Sequence, residues 1–176
     1  MITIQSDKEE ILNAVSEVFT ELLELYDRIG HNWINHVTSE SGWTASQLLD
    51  HVSKSTNAIA SALMEDGSIP HRIVIERVPE LQDTFLNFAV KMETPKELAP
   101  DEGPFNKEEV TDKLKIALED LEKEAKHTNL DGIVEDLPLG AATKWELLHF
   151  EYYHTLRHLQ QLKRICGAIQ FQTDHR

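Results

Sequence analysis

The chain has 176 residues, 40% hydrophobic and 27% charged, which suits one globular domain spanning 1–176 with a sizeable core. Its 31 acidic residues against 17 basic ones give a formal charge of −14, which repels phosphate backbones and anionic bilayers, so neither nucleic acid nor membrane is an expected partner. No apolar run approaches the roughly 20 residues of a membrane span, no signal-peptide pattern is visible, and one cysteine permits no intrachain disulfide; a reducing, cytoplasmic setting is expected.

The first predicted helix spans 7–29. Ser6-x-x-Glu9 reads as a capping box at its start. Ile11, Val15, Val18, Leu22, Leu25 and Ile29 follow at helical spacing, and Leu12, Phe19 and Tyr26 widen them into one buried face. Gly30 stands where a left-handed C-terminal cap belongs. A loop over 31–43 carries Trp33, His36 and Trp43. The second helix, 45–66, opens on the box Thr44-x-x-Gln47, buries Leu48, Val52, Ile59, Ala62 and Leu63, and is expected to stop at Gly67.

Residues 68–105 form a long excursion holding five of the six prolines. Pro79 suits the first turn of a short helix reaching about residue 91, and Ile73-Val74-Ile75 is the one strand-like run. Thr94 to Pro104 reads as extended and turn-rich; a loop this long is usually functional or a packed lid. The third main helix, 107–127, starts from a weaker box, Asn106-x-x-Glu109, and buries Val110, Leu114, Ala117, Leu118, Leu121 and Ala125. His127 lies near its end, where a cation favours the helix dipole. The fourth, 144–166, opens on Thr143-x-x-Glu146 and is expected to end at Gly167. Four amphipathic helices of about this length imply an all-α four-helix bundle with a long crossover between the second and third.

The last helix carries the chemistry. Leu147, Glu151, His154, His158, Gln161 and Ile165 follow one another at spacings of 4, 3, 4, 3 and 4, so they share one face. That stripe is apolar at both ends and polar in its middle, beside an apolar stripe of Leu148, Tyr152, Leu159 and Leu162. Polar groups turned toward a core are costly unless something satisfies them. His154 and His158, four apart, can reach one metal ion. A third ligand must come from elsewhere: His51, at the edge of the second helix's buried face, is the best candidate, and Glu151 is the alternative or an additional one. Gln161 is placed to hydrogen-bond a ligand from outside or simply to pack. His149 is rotated off this face, Tyr152 and Tyr153 read as packing groups, and His31, His71 and His175 fall in loops or the tail. Cys166, on the apolar flank of the helix, reads as a buried, inert thiol. There is no glycine-rich phosphate loop, no serine elbow and no basic, aromatic-interleaved patch.

Residues 42–52, Gly-Trp-Thr-Ala-Ser-Gln-Leu-Leu-Asp-His-Val, resemble the W-S-x-x-E-L-x-x-H-L start of the second helix in the DinB-like (DinB/YfiT) metalloenzyme superfamily. Residues 137–162 resemble its last helix, with His154-x-x-x-His158-x-x-Gln161 as the most specific part, and residues 94–100 resemble a proline-bearing linker of one branch. The resemblance implies an up-down-down-up bundle, a homodimer, and a divalent metal (zinc, nickel or iron) held by His51, His154 and His158. It further implies a metal-dependent enzyme acting on a small molecule with a low-molecular-weight thiol as cosubstrate, a thiol S-transferase. A hydrolase using a metal-bound water, with Glu151 taking the proton, is the alternative. A non-catalytic helical dimer whose metal is structural or absent is the third reading.

Overall fold

The computed structural model describes residues 6–38 and 42–174, with side chains as far as Gln170. The chain is mostly helical: α1 (Lys8–Asp27), α2 (Ala45–Met64), α3 (Val78–Leu86), a 3-10 turn (Lys96–Leu98), α4 (Lys107–His127) and α5 (Lys144–Asp174). Two short strands, β1 (Ile133–Val134) and β2 (Ala142–Thr143), pair antiparallel with Ile133 opposite Thr143. No helix among the described residues is long and apolar enough to cross a membrane.

The helix starts follow side-chain capping. At Thr44 the side chain accepts from the Gln47 N–H while the Gln47 side chain accepts from the Thr44 N–H, at 3.1 and 3.0 Å. Thr143 and Glu146 form the same reciprocal pair before α5. Asn106 accepts from the Glu109 N–H before α4. At α1 the box is one residue later than the sequence reading: Asp7 and Glu10 make it, not Ser6 and Glu9. Aspartate is as good a cap as serine, and starting at Lys8 leaves Ile11 and Val15 fully buried.

The helix ends do not follow the glycine rule. Neither Gly30 nor Gly67 has a left-handed backbone. Instead a cation from a distant helix donates to the free carbonyls. Lys107, at the start of α4, donates to Asp27 O (2.6 Å) and Ile29 O (3.0 Å) at the end of α1. Lys144, the first residue of α5, donates to Leu63 O (2.8 Å) and Glu65 O (2.6 Å) at the end of α2. Lys8, the first residue of α1, donates to Thr128 O at the end of α4 (2.9 Å), and Arg157 of α5 donates to Phe85 O, Asn87 O and Val90 O at the end of α3. The last turn of a helix leaves carbonyls unpaired and carries partial negative charge, so a cation there answers both needs. Gly67 has another use: a Cβ there would come within 2.7 Å of Gly132 Cα, and this close approach lets Ser68 and Ile133 exchange two backbone hydrogen bonds of 2.9 Å.

Gly167 does not stop α5, which runs to Asp174. Leu162, Ile165 and Ile169 continue the buried stripe at spacings of 3 and 4. Burying Ile169 outweighs the roughly 1 kcal/mol that one helical glycine costs. The short helix after Pro79 ends at Leu86 rather than near 91. The strand-like run Ile73-Val74-Ile75 forms turns instead, with Ile73 exposed, and the strands lie at 133–134 and 142–143.

The core is shared by α1, α2, α4 and α5. Helix α2 packs on α4 and α5, α1 on α5 and α4, and α3 lies against α5. Tyr26, Phe19, Leu48, Leu49, Leu114, Leu121, Leu147 and Leu148 are sealed at its centre. Within this packing the polar middle of α5 faces α2.

Candidate metal centre

His51 lies two turns into α2, and His154 and His158 stand on consecutive turns of α5. Their Nε2 atoms converge. His154 Nε2 is 3.2 Å from His51 Nε2 and 3.0 Å from His158 Nε2, and the three ligand atoms all lie within 4.8 Å of one another. No cysteine, aspartate or glutamate joins the group among the described residues. The three residues are 4–7% exposed, so the cluster lies just beneath the surface.

The outer ring nitrogens decide the protonation of the inner ones. His51 Nδ1 lies 2.8 Å from the Leu98 carbonyl, which can only accept, so Nδ1 carries the proton and Nε2 keeps a lone pair. His158 Nδ1 is 3.1 Å from Gln161 Oε1, the partner that the sequence stripe suggested, with the same consequence. His154 Nε2 therefore faces two lone pairs and has at most one proton to offer. Its Nδ1 is buried without a hydrogen-bond partner. Three imidazoles so arranged form an acceptor-rich cage that a cation relieves. The His51–His154 and His154–His158 spacings fit one: ligand bonds of about 2.0–2.1 Å place two nitrogens about 2.9 Å apart at a right angle and about 3.4 Å apart at a tetrahedral angle.

Electrostatics keep the cage neutral. Burial pulls His51 below the ordinary imidazole value, against the Leu98 hydrogen bond that favours its charged form. Burial holds His154 well below that value, reinforced by His158 and His51, and pushes His158 down to about 3. Neutral imidazole is the form that binds metal.

Aromatic rings wall the cluster. Trp43 lies over His51 at 5.1 Å between ring centroids, Phe150 stacks on His154 at 5.1 Å, and Phe85 of α3 meets His154 edge-on at 6.0 Å. Phe85 and Phe150 meet edge-to-face at 4.9 Å. The Trp43 end of the early loop and the crossover segment, through Leu98, thus both reach the site.

Glu151 stands apart from the histidine group. It is fully buried; its Oε1 accepts from Thr56 Oγ1 at 2.6 Å and lies 3.5 Å from Thr155 Oγ1, while Oε2 has no hydrogen-bond partner. Burial raises its carboxyl to about 7, against the Thr56 and Thr155 hydrogen bonds. As a further ligand, which the sequence left open, it is not brought into the cluster; its Oε1 is turned to the two threonines. His149 is buried with neither ring nitrogen hydrogen-bonded, and burial lowers it to about 4. Tyr152 and Tyr153 are buried packing groups. Cys166 is half-buried rather than sealed, and burial raises its thiol, which disfavours the reactive thiolate. His31, His71 and His127 are exposed, and His175 lies outside the described residues.

Sequence reasoning missed Thr56, Phe85, Phe150 and Leu98 at the site. Thr56 left a signal: Val52, Thr56, Ile59 and Leu63 run at spacings of 4, 3 and 4, so a hydroxyl interrupts an apolar stripe opposite Glu151. Leu98 left none, since its contribution is a backbone carbonyl. Comparison with protein-family models, curated proteins and solved structures finds no match for the chain.

Proposed function

We propose that this protein is a divalent-metal enzyme in which His51, His154 and His158 hold the ion. The observation that carries this reading is the convergence of three Nε2 atoms, with the Nδ1 atoms of His51 and His158 already held by Leu98 and Gln161. Three protein ligands with no fourth acidic or thiol side chain beside them among the described residues is the pattern of a catalytic site with an open position, whereas a structural site closes its coordination. This disfavours the structural-metal reading.

A divalent ion held there supplies positive charge that lowers the pKa of a thiol or water brought to it. The chain's own residues do the rest. Leu98 and Gln161 orient two of the ligands. Trp43, Phe85 and Phe150 exclude water from the flanks of the cluster. Glu151 holds a proton near neutral pH at a carboxyl tied to Thr56. We read the chemistry as thiol transfer to a small electrophile, as the DinB-like resemblance implies. Hydrolysis is the competing chemistry, for which Glu151, poised near 7, is the candidate base.

The DinB-like bundle belongs to the same reading. Tyr26, near the end of α1, bonds Ser46 at the start of α2; the lysine caps join the ends of α1 and α2 to the starts of α4 and α5. These junctions support an up-down-down-up order.

Protein purified without a metal-affinity tag is expected to bind one zinc or cobalt ion per chain, and His154→Ala to lose that binding while keeping its helical circular dichroism. A variant that binds as well as the original would sink the ligand assignment. Thiol conjugation and hydrolysis assayed on one panel of electrophiles, with and without chelator, separate the two chemistries: turnover unchanged in metal-free protein would remove the metal-dependent mechanism.

A further inference from the structure

The segment between α3 and α4 has one 3-10 turn and no other regular structure after residue 86, yet it supplies the carbonyl that fixes His51. Its position is set by one face of α2. Lys54 Nζ donates to Ala99 O (2.9 Å) and Asp101 Oδ1 (2.7 Å) and pairs with Asp50 Oδ2 at 3.1 Å. The Asp101 N–H donates to Asp50 Oδ2 at 3.0 Å, and Gln47 Nε2 donates to Asp101 O at 3.2 Å. Gln47, Asp50 and Lys54 stand at spacings of 3 and 4, so they form one row beside His51. Asp50 is sealed from solvent, and Lys113 of α4 lies 3.6 Å from its other oxygen. Further along, Asn35 exchanges two hydrogen bonds with the Phe105 backbone, at 2.8 and 2.9 Å.

We propose that Lys54, working with Asp50, is a positioning residue of the histidine cluster: by gripping Ala99 and Asp101 it sets the Leu98 carbonyl against His51 Nδ1. His51 is thereby kept in the tautomer whose Nε2 faces His154 and His158. The physical reason is that a neutral imidazole places its proton on whichever nitrogen has an acceptor, and among the described residues the Leu98 carbonyl is the acceptor at His51 Nδ1. An unheld segment would let that carbonyl drift, the proton would redistribute to Nε2, and the ligand lone pair would be lost for part of the time. This inference rests on the metal-binding reading of the cluster, but the tautomer itself is measurable without metal.

The test compares the original chain with Lys54→Met, which keeps the apolar stem and removes the cation. Lys8→Met, a lysine cap remote from the cluster, is the control. Side-chain nitrogen NMR of the histidines in metal-free protein at neutral pH is expected to show His51 with its proton on Nδ1 in the original and in Lys8→Met, and a mixture of tautomers in Lys54→Met. Cobalt affinity is expected to fall about 10–100-fold in Lys54→Met with the stoichiometry unchanged. If Lys54→Met does not fold, Asp101→Asn, at a side chain 67% exposed, gives both readouts in the same direction. An unchanged tautomer in the variant would overturn the proposal, and so would an affinity loss equal to that of Lys8→Met. If the original chain takes up no cobalt, the metal reading falls, while the metal-free NMR comparison still decides whether Lys54 positions His51.

Discussion

Glu146 and Glu151 stand on the same helix and both are sealed from solvent, yet their carboxyls shift in opposite directions. Burial opposes ionisation at Glu146, but Arg72 at 2.6 Å through both nitrogens and the backbone N–H groups of Arg77 and Thr143 overcome it, and its carboxyl lies below the ordinary range. Glu151 has hydroxyl partners and no cation, so burial prevails and its carboxyl rises to about 7 from an ordinary 4.5. A raised folded-state pKa contributes stability that is fully present below about 4.5 and is lost as pH rises through about 7. Glu151→Gln cannot ionise and should escape that loss. In metal-free protein the variant should gain on the original by up to about 3 kcal/mol between pH 4.5 and 7.5, read from denaturant unfolding at each pH. Parallel pH profiles would show that Glu151 is already ionised in the fold. Glu151, His154, His158 and Gln161 were all legible in the sequence because helical spacing is a local property. The partners that set their states, Thr56 and Leu98, come from other elements.

Among the elements, helix starts and helix ends were legible to different degrees. A start is encoded within four residues, and Thr44, Asn106 and Thr143 cap where the sequence placed them. An end here is encoded by a lysine or arginine from another helix: 80 residues separate Lys107 from Asp27, and 81 separate Lys144 from Leu63. Local reading therefore assigned the ends to glycines that do not perform that role. Two substitutions separate the alternatives. Lys144→Met should cost about 2 kcal/mol, since it strips two charged hydrogen bonds from the Leu63 and Glu65 carbonyls, the first of them buried; in a chain of this length that is roughly 4–8 °C in Tm. Gly30→Ala should be close to neutral, because Gly30 is not left-handed and an added Cβ would lie 3.8 Å from Trp33. A large loss for Gly30→Ala with none for Lys144→Met would restore the glycine account.

At the level of the whole molecule, α2 and α5 each contribute to the histidine cage, so an ion bound there ties two core helices together. Binding to the folded state alone stabilises it by mass action, by about 2.7 kcal/mol at a free concentration one hundred times Kd. For a chain of this size, zinc at that excess should raise Tm by roughly 5–10 °C, and the rise should vanish in His158→Ala. A rise that survives in that variant would place the ion elsewhere.

Besides the short helix placed at Pro79, the sequence by itself determined the helical class, the four long α-helices, three of their capped starts and the polar stripe on α5. All of these follow from contacts three or four residues apart, which periodicity exposes. It nominated His51 as third ligand from its place at the edge of a buried face, without fixing where that face would point. Only the tertiary structure brought His51 across 103 residues to His154, seated the Leu98 carbonyl on its outer nitrogen and turned Glu151 toward Thr56. It also carried α5 past Gly167 and ended α1, α2, α3 and α4 with cations from distant helices. Those outcomes depend on which helix packs against which, and on backbone carbonyls that no side chain identifies, so no local pattern in the chain could carry them.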